Sequence, residues 1–372
     1  MKTYHQNKKW IWQSENFPNF LFTKLELEAI YYKFGQLNMI EKFINSDETK
    51  ALFIDILSNE AIATSAIEGE ILQRSSVHSS INKILKLGLD EDYTSTVQSD
   101  AIVEITIDAK QNANEPLNKE RLCSWHKALF PMGQSGLRKI KIGEYRTGKE
   151  DMQIVSGAWE REKIHYIAPS SIQIEQLMNE FLIWLNSKNE TNIFYKASIA
   201  HLWFVLIHPF DDGNGRIARA ITDFVLASGN LINANFYSIS TVIHNRRKEY
   251  YNVLDNICKQ KDLDISIWIK WFISLLDESI DNTLIKLESI QKKAKFWDKH
   301  QATKLNERQK KVINKMLLAL PNNFEGGMRV HKYTRITKTT RITASRDLAD
   351  LVKKGIMKKY GNGRGVYYEL AK

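Results

Sequence analysis

The 372-residue sequence is poor in cysteine, and it lacks both a long apolar run and an apolar leader. Two cysteines, Cys123 and Cys258, cannot build a disulfide framework, which excludes the class of disulfide-rich secreted domains. No apolar run approaches the roughly 20 residues that a bilayer span requires. Residues 1–13 are polar and contain no apolar stretch typical of a signal peptide. These absences predict a soluble, cytoplasmic protein without a membrane partner.

Positive charge is in excess, and the excess is confined to one end of the chain. The whole chain carries 53 Lys and Arg against 43 Asp and Glu, a formal net charge of +10. The last 72 residues hold 17 basic and 5 acidic side chains, a net charge of +12, whereas the first 300 hold 36 and 38, a net charge of −2. The C-terminal segment is therefore predicted to bind a polyanionic partner.

The most informative string is His-Pro-Phe-Asp-Asp-Gly-Asn-Gly-Arg-Ile-Ala-Arg, residues 208–219. Gly213, Asn214 and Gly215 form a turn in which two residues without a side chain let the backbone fold tightly. Such a turn can direct bare backbone N–H groups at an anion. The string therefore predicts an anion cradle.

A helix is predicted directly after this turn. Residues 217–228 are apolar at helical spacing, and Gly229 follows as a C′ glycine. The turn would thus lie at a helix N-terminus, where amide donors and the helix dipole favour phosphate. Arg216 and Arg219 share one face of that helix and supply fork-shaped donors for phosphate oxygens.

The string resembles the signature of the Fic family, HPFx(D/E)GNGRxxR, and agrees with it at every fixed position. The resemblance implies transfer of AMP from ATP to a Ser, Thr or Tyr hydroxyl of a protein, with release of pyrophosphate. It implies His208 as the general base and Asp212 as the ligand of Mg²⁺ at the α- and β-phosphates. The phosphates would be held by the cradle Gly213, Asn214 and Gly215, by Arg216 and, at the γ-phosphate, by Arg219.

A second string, Thr-Ser-Ala-Ile-Glu-Gly at residues 64–69, fits the inhibitory pattern of the same family, (S/T)xxxE(G/N). Thr64 and Glu68 are four residues apart, hence on one side of a helix, and Gly69 is placed to end it. In the family this glutamate pairs with the second signature arginine, here Arg219, which then cannot hold the γ-phosphate. The resemblance implies autoinhibition by a helix N-terminal to the core. An ordinary amphipathic helix end is the alternative.

The segment 143–150 nearly matches a P-loop, but Glu150 stands where Mg²⁺ binding needs Ser or Thr, and no apolar helix follows. In Fic proteins a β-hairpin, the flap, lies here after a Gly-x-Tyr-Arg motif. Its docking strand would be Gln153, Ile154, Val155 and Ser156, with a second strand at 164–167. The flap would pair with the target's backbone as an added strand. An ordinary surface hairpin is the alternative.

The resemblance also bears on two residues downstream of the string 208–219, and a third residue, His201, lies upstream of it. Tyr250 is predicted to contact the nucleotide. Cys258 stands roughly where the family often has asparagine near the adenine, so the base-contacting residue stays open. His201 lies on a strongly apolar helix face and is interpreted as a satisfied buried histidine rather than a metal ligand.

The basic C-terminus shows the order helix, helix, helix, hairpin. Helices are expected at 307–319, with Asn306 as N-cap, at 333–336 and at 343–354, and strands at 356–360 and 366–370. This order resembles a winged helix. Arg341, Ser345 and Arg346 would face the major groove of duplex DNA, and Arg364 on the wing would reach backbone or minor groove. Winged helices also serve as protein-docking modules, and that alternative stays open.

The sequence therefore predicts a mainly α fold, a Fic-type helical core with a small β-hairpin flap and a C-terminal winged helix-turn-helix domain. The expected domains are a Trp-rich helical module with the inhibitory motif (1–95), the catalytic core (96–298) and the winged helix (299–372). The predicted function is an autoinhibited protein adenylyltransferase that uses ATP and Mg²⁺. The expected partners are a target protein and duplex DNA, and a homodimer is left open. The alternatives are a DNA-binding regulator with a Fic core as sensor, and a Fic-fold transferase of another phospho-group.

Overall fold

The computed structural model describes residues 10–41, 46–88, 94–136, 138–156, 163–188, 192–229, 236–319 and 324–371. The chain forms two compact units, Met1–Asp281 and Asn282–Lys372. Segment 1–95 and most of segment 96–298 fall in the first unit, so their division into two domains stays a prediction. The mainly α fold class is confirmed. In the described part of the chain, no helix is long and apolar enough to cross a membrane.

The first unit is built from helices and two short hairpins. The helices are α1 Glu28–Glu41, α2 Ser46–Ile67, α3 Arg74–Leu85, α4 Val97–Gln111, α5 Lys119–Leu129, α6 Ser171–Asn186, α7 Ile193–Ile207, α8 Asn214–Ser228, α9 Ile239–Asn245, α10 Arg247–Cys258 and α11 Ser266–Lys299, the last of which crosses the unit boundary. The hairpins pair β1 Gln134–Ser135 with β2 Arg138–Lys139, and β3 Gln153–Ser156 with β4 Lys163–Ile167. A 3₁₀ turn, Ile11–Gln13, precedes them all.

Helix α7 lies at the centre of the first unit. Nearly all of its residues are buried, as expected of a helix that is apolar on every side. Helix α8 packs along it, and α2 and α4 both pack against α8. The loop 208–213 joins the C-terminus of α7 to the N-terminus of α8, so the signature string lies where these helix ends meet.

Two details of α8 differ from the sequence expectation. The helix begins at Asn214, so only Gly213, with φ +78°, adopts the left-handed conformation, while Gly215 lies within the first helical turn. At the other end, Gly229 has φ −72° and is not a left-handed C′ glycine. A Cβ there would come 2.8 Å from Cγ1 of Ile193. Close packing, rather than an unusual backbone angle, therefore requires this glycine.

The second hairpin lies where the flap was predicted. Its strands are antiparallel, with Gln153 opposite Ile167, and the register shifts between Ile154 and Val155. Among the described residues β3 pairs with β4 alone, so its other edge is open. Residues 157–162, between the two strands, lie outside the described residues.

The second unit contains α12 Glu307–Leu317, α13 Val330–Thr337, α14 Arg341–Lys353, β5 Met357–Tyr360 and β6 Tyr367–Leu370. The predicted N-cap is confirmed, because Asn306 Oδ1 accepts from the Gln309 N–H at 2.9 Å. Gln309 Oε1 accepts in turn from the Asn306 N–H at 3.0 Å, which completes a capping box. The core of this unit buries Ile313, Tyr333 and Leu348 among other apolar residues. The order of elements agrees with the predicted order, and the winged-helix assignment stays a prediction.

Candidate functional site

His208 ends helix α7 in a left-handed conformation, with φ +53°, and its backbone N–H donates to the Phe204 carbonyl at 3.0 Å. Ring atom Nδ1 lies 3.3 Å from the Val205 carbonyl oxygen. A carbonyl can only accept, so this contact assigns the proton to Nδ1 and leaves the lone pair on Nε2. Burial lowers the pKa of His208 to about 4. The imidazole is therefore neutral at pH 7 and can accept a proton.

The loop after His208 is held by its own side chains. Asn214 is 2 % exposed; its Nδ2 donates to the Phe210 carbonyl at 2.8 Å, and its Oδ1 accepts from the Phe210 N–H at 3.0 Å. The Phe210 ring stacks on His126, with centroids 4.3 Å apart. The side chain of Asn214 therefore shapes the loop, and only its backbone N–H, in the first turn of α8, is placed to meet an anion.

Asp212 is the carboxylate at the start of α8. Its Oδ2 accepts from the Ser135 hydroxyl, and its Oδ1 accepts from the Gly213 N–H at 2.5 Å. No group of three or more His, Cys, Asp or Glu that could hold a metal occurs in the described ranges. A single carboxylate suits Mg²⁺, which typically takes one or two carboxylates together with substrate phosphates. Asp212 thus fits Mg²⁺ as part of a nucleotide complex. The role of Ser135 was not foreseen from the sequence.

Arg219 is 1 % exposed and is held by the end of α2. Its Nε donates to Thr64 Oγ1 at 2.6 Å, and its Nη2 donates to the Thr64 carbonyl at 2.9 Å and to Glu68 Oε1 at 2.8 Å. Burial lowers the pKa of this guanidinium, but the neighbouring Glu68 carboxylate more than offsets it, so the net pKa is raised. The structure thus brings together Thr64, Glu68 and Arg219, which the two separate sequence motifs had linked.

Arg216 is paired in the same way with Glu70, a residue that the sequence reasoning missed. Arg216 Nη1 donates to Glu70 Oε2 at 3.1 Å, and the guanidinium carbon lies 4.9 Å from the centroid of the Phe130 ring. Gly69, with φ +87°, turns the chain between Glu68 and Glu70. A signal for this pair was present in the sequence. Two carboxylates flank Gly69, and the two signature arginines are likewise a pair.

Gly215 lies in the first helical turn, so its small size matters for space rather than for backbone freedom. A Cβ at this position would collide with Oε1 of Glu68. The missing side chain therefore leaves room for a carboxylate directly over the first turn of α8, where the phosphate site was predicted.

Tyr250 does not lie open at this site. It is 3 % exposed, its hydroxyl lies 3.0 Å from His201 Nε2, and His201 Nδ1 lies 2.9 Å from the Thr222 hydroxyl. This position gives no support to a nucleotide contact by Tyr250, and it agrees with His201 as a buried, satisfied histidine. The neighbouring Tyr251 is 42 % exposed, and its hydroxyl donates to the Ile67 carbonyl at 3.3 Å, directly before Glu68. Adjacent positions of α10 point to different surroundings, which the pair of tyrosines in the sequence could not reveal.

The proposed docking strand is present as β3. Val155 is 41 % exposed and Gln153 is exposed, whereas Ile154 is partly buried. Only the backbone of Ser156 is described. The strand thus presents alternating side chains and an open edge within the described residues.

Comparison with known proteins supports this reading of the loop. Residues 116–226 match the Fic/DOC family, and residues 10–87 match a domain of unknown function, DUF4172. The Fic/DOC match contains the whole string 208–219. The DUF4172 match contains Thr64, Glu68 and Glu70.

Curated relatives include protein adenylyltransferases. A protein adenylyltransferase Fic from Aedes aegypti is 28% identical over 135 residues, which are 31% of this chain and 26% of the relative. A probable protein adenylyltransferase from Aquifex aeolicus is 32% identical over 88 residues, 24% of this chain and 25% of the relative. The matched segments span about a quarter of the length of these relatives.

Solved structures share the fold. A Fic family protein from Desulfovibrio desulfuricans has a TM-score of 0.52 at 18% identity, covering 94% of this chain and 98% of its own. A Fic domain containing signaling protein from Bacteroides thetaiotaomicron has a TM-score of 0.50 at 19% identity, covering 69% of this chain and 97% of its own. The family match, the relatives and the fold together support a Fic/DOC domain, at residues 116–226, within this chain.

Proposed function

We propose that this protein transfers AMP from ATP to a Ser, Thr or Tyr hydroxyl of target proteins and of itself. The observation that carries the proposal is the convergence of His208, Asp212, Arg216 and Arg219 on one loop and the first turns of α8. In the reaction, the hydroxyl oxygen forms a bond to the α-phosphorus. The bond from that phosphorus to the oxygen that bridges to the β-phosphate breaks, and pyrophosphate leaves. The hydroxyl proton passes to Nε2 of His208.

The chain's own groups divide the work. His208 takes the proton in its neutral form, and the backbone N–H groups of residues 213–215 with Arg216 bind phosphate oxygens at the helix N-terminus. Arg219 binds the γ-phosphate and so turns the α-phosphate toward the hydroxyl. Bound by Asp212, Mg²⁺ supplies neutralisation of the phosphate charge.

Glu68 acts as the brake in this proposal. Its carboxylate is bound to Arg219 Nη2 at 2.8 Å and lies over Gly215, so it occupies the place of an anionic group. ATP must displace it before the γ-phosphate can be held. Thr64 accepts from Nε and Nη2 of the same guanidinium, which keeps Arg219 oriented toward α2.

In this proposal the flap binds the target protein. A segment of the target adds to the open edge of β3, formed by Gln153, Ile154, Val155 and Ser156, through backbone hydrogen bonds. Backbone pairing places few demands on the target's side chains, so the flap can bind segments that carry Ser, Thr or Tyr hydroxyls.

The test is transfer of label from ATP by Glu68→Gly protein. With ATP labelled on the α-phosphate, protein becomes labelled; with ATP labelled on the γ-phosphate, it does not. If the protein became labelled only from ATP carrying the label on the γ-phosphate, the reaction would be phosphoryl transfer and not AMP transfer. The Glu68→Gly, His208→Ala double variant is the matched control and stays unlabelled.

Duplex DNA binding is a second candidate function, favoured by the surface of α14. Its exposed residues, here called the α14 face, are Arg341, Ile342, Ser345, Arg346, Ala349 and Lys353. None is acidic. The two acidic residues of α14 are engaged elsewhere: Asp347 accepts from Arg308 and Tyr333 at 2.9 and 2.8 Å, and Asp350 accepts from Gln309 at 2.8 Å. A helix face with three basic side chains and no carboxylate suits a phosphate backbone.

A further inference from the structure

Two side chains tie the end of the flap to the end of helix α7. Tyr166 of β4 is 3 % exposed, and its hydroxyl donates to the Leu206 carbonyl at 2.7 Å. Arg146, also 3 % exposed, precedes the flap; its Nε donates to the His208 carbonyl at 2.8 Å and its Nη2 donates to the Pro169 carbonyl. The backbone N–H of Arg146 donates to the Pro209 carbonyl at 2.8 Å. The segment that precedes the flap and the strand β4 therefore both contact residues 206–209.

These contacts satisfy groups that a helix end leaves open. The last four carbonyls of a helix have no intrahelical partner, and Leu206 and His208 lie at that end of α7. A cation near a helix C-terminus is also favoured by the helix dipole. Within the described residues Arg146 forms no ion pair, so backbone carbonyls are the groups that hold its buried guanidinium. Such charge-assisted hydrogen bonds are stronger than neutral ones.

The connection continues to the docking strand. The Ala168 N–H donates to the Met152 carbonyl at 2.9 Å, which joins the end of β4 to the start of β3. On the outer side of β4, Trp12 Nε1 donates to the Ile167 carbonyl at 2.7 Å. The position of β3 is thus set, through residues 166–169, by the same backbone that carries the ring of His208.

We infer that Arg146 and Tyr166 are positioning residues that fix the flap relative to His208, so that a hydroxyl on a strand added to β3 reaches Nε2. The inference rests on the proposed function. Neither side chain contacts Asp212, Arg216 or Arg219 in the described structure. Their loss should therefore impair transfer while leaving ATP binding intact, which a general loss of structure would not do.

The variants are Arg146→Gln, Arg146→Lys and Tyr166→Phe, each in the Glu68→Gly background. The matched control is Tyr195→Phe, because the Tyr195 hydroxyl also donates to a backbone carbonyl, that of Leu25 at 2.9 Å, but lies near the N-terminus of α7 rather than at its C-terminus. Auto-modification with α-labelled ATP measures kcat, and equilibrium dialysis of labelled ATP measures its Kd.

For Arg146→Gln we expect kcat to fall about tenfold to a hundredfold, as for a small misplacement of reacting groups. For Tyr166→Phe we expect a fall of about fivefold, the value of one hydrogen bond. The Kd for ATP should stay within about twofold in both variants, because the phosphate-binding groups of the site are unchanged. We expect Arg146→Lys to recover part of kcat and Tyr195→Phe to leave kcat and Kd unaltered. Unaltered kcat in Arg146→Gln and Tyr166→Phe, or ATP binding that falls in step with kcat, overturns the inference.

Amide hydrogen exchange tests the same inference without activity. In Arg146→Gln, exchange should accelerate together in residues 152–156, 163–168 and 208–213, and it should not do so in Tyr195→Phe. Exchange that accelerates in the flap alone, or nowhere, contradicts the coupling. Absence of α-label transfer in the Glu68→Gly parent would instead refute the proposed function, and the exchange result would still decide the coupling.

Discussion

The start of α8 and the α14 face both carry arginines, but the two regions differ in whether these arginines have acidic partners. At the start of α8, Arg216 and Arg219 are each bound by a carboxylate of the same chain, Glu70 and Glu68. On the α14 face, no carboxylate lies among the exposed residues. An anion must therefore compete with an internal partner at the first region, whereas at the second it meets a surface without one. In the proposed function, the first region is a regulated anion site, and the second is an anion site without an internal competitor.

Removing the base gives the largest expected effect at the regulated site. In the Glu68→Gly background, His208→Ala should lower transfer by roughly 10²–10⁴, the usual contribution of general-base catalysis. ATP binding, measured by dialysis, should persist because the ring acts on the hydroxyl and not on the phosphates. His244→Ala is the control, since His244 is exposed. Near-normal transfer by His208→Ala would refute the assigned base.

The second-largest effect is expected from removing the Glu68 carboxylate, which competes with ATP for Arg219. Glu68→Gly should raise auto-modification about a hundredfold, which corresponds to about 2.7 kcal/mol in favour of the braked state. Glu68→Gln, which keeps the shape and removes the charge, should give most of this increase. The measurement is the initial rate of α-label incorporation together with ATP affinity. If neither changes, Glu68 is not the brake.

Salt should separate the two regions. Three phosphate contacts on the α14 face predict a log–log slope of about −2.7 for DNA affinity, and hence a loss of about fortyfold between 50 and 200 mM salt. Arg346→Glu should weaken binding of the full chain to duplex DNA in a gel shift. The charge-matched control Lys24→Glu, an exposed lysine of the first unit, should not. No retained DNA at low salt leaves protein docking as the role of the second unit.

A smaller effect is expected from the second carboxylate of the regulated site. Glu70→Gln should raise auto-modification about threefold, because Arg216 loses one hydrogen bond to a charged group but keeps its packing over Phe130. The rate at subsaturating ATP is the measurement. The matched substitution Glu26→Gln, at an exposed position near the N-terminus, should change nothing. An unchanged rate in Glu70→Gln would show that Arg216 is not held back.

The smallest effect is expected from pH. His208 acts in its neutral form, and its pKa is lowered to about 4 by burial, so protonation begins only as pH falls toward that value. The kcat of Glu68→Gly protein should therefore stay level on its acid side down to about pH 5 and fall below it. A midpoint near the ordinary histidine pKa of about 6.5 would show that the ring is open to water in the working enzyme.

Much of the site was predictable because its spacing is local. Thr64 and Glu68 lie four apart, and Arg216 and Arg219 three apart, so helical periodicity alone puts each pair on one face. Helix α6 occupies Ser171–Asn186, where apolar residues recur at helical spacing. The start of α8 was less well predicted. Gly215 predicted a turn, but it lies in the first turn of α8, where its lack of a side chain makes room for the Glu68 carboxylate.

The sequence by itself determined the helical class, the residue types and spacing of the string 208–219 and the concentration of basic charge in the last 72 residues. The tertiary structure alone decided that Glu70 reaches Arg216, that Ser135 reaches Asp212, and that Arg146 joins the flap to His208. It also buried Tyr250 and left Tyr251 exposed. The physical reason is sequence separation. Contacts within a helical turn follow from backbone geometry, whereas partners 62 to 146 residues apart meet only where packing of α2, α7, α8 and the flap brings their ends together.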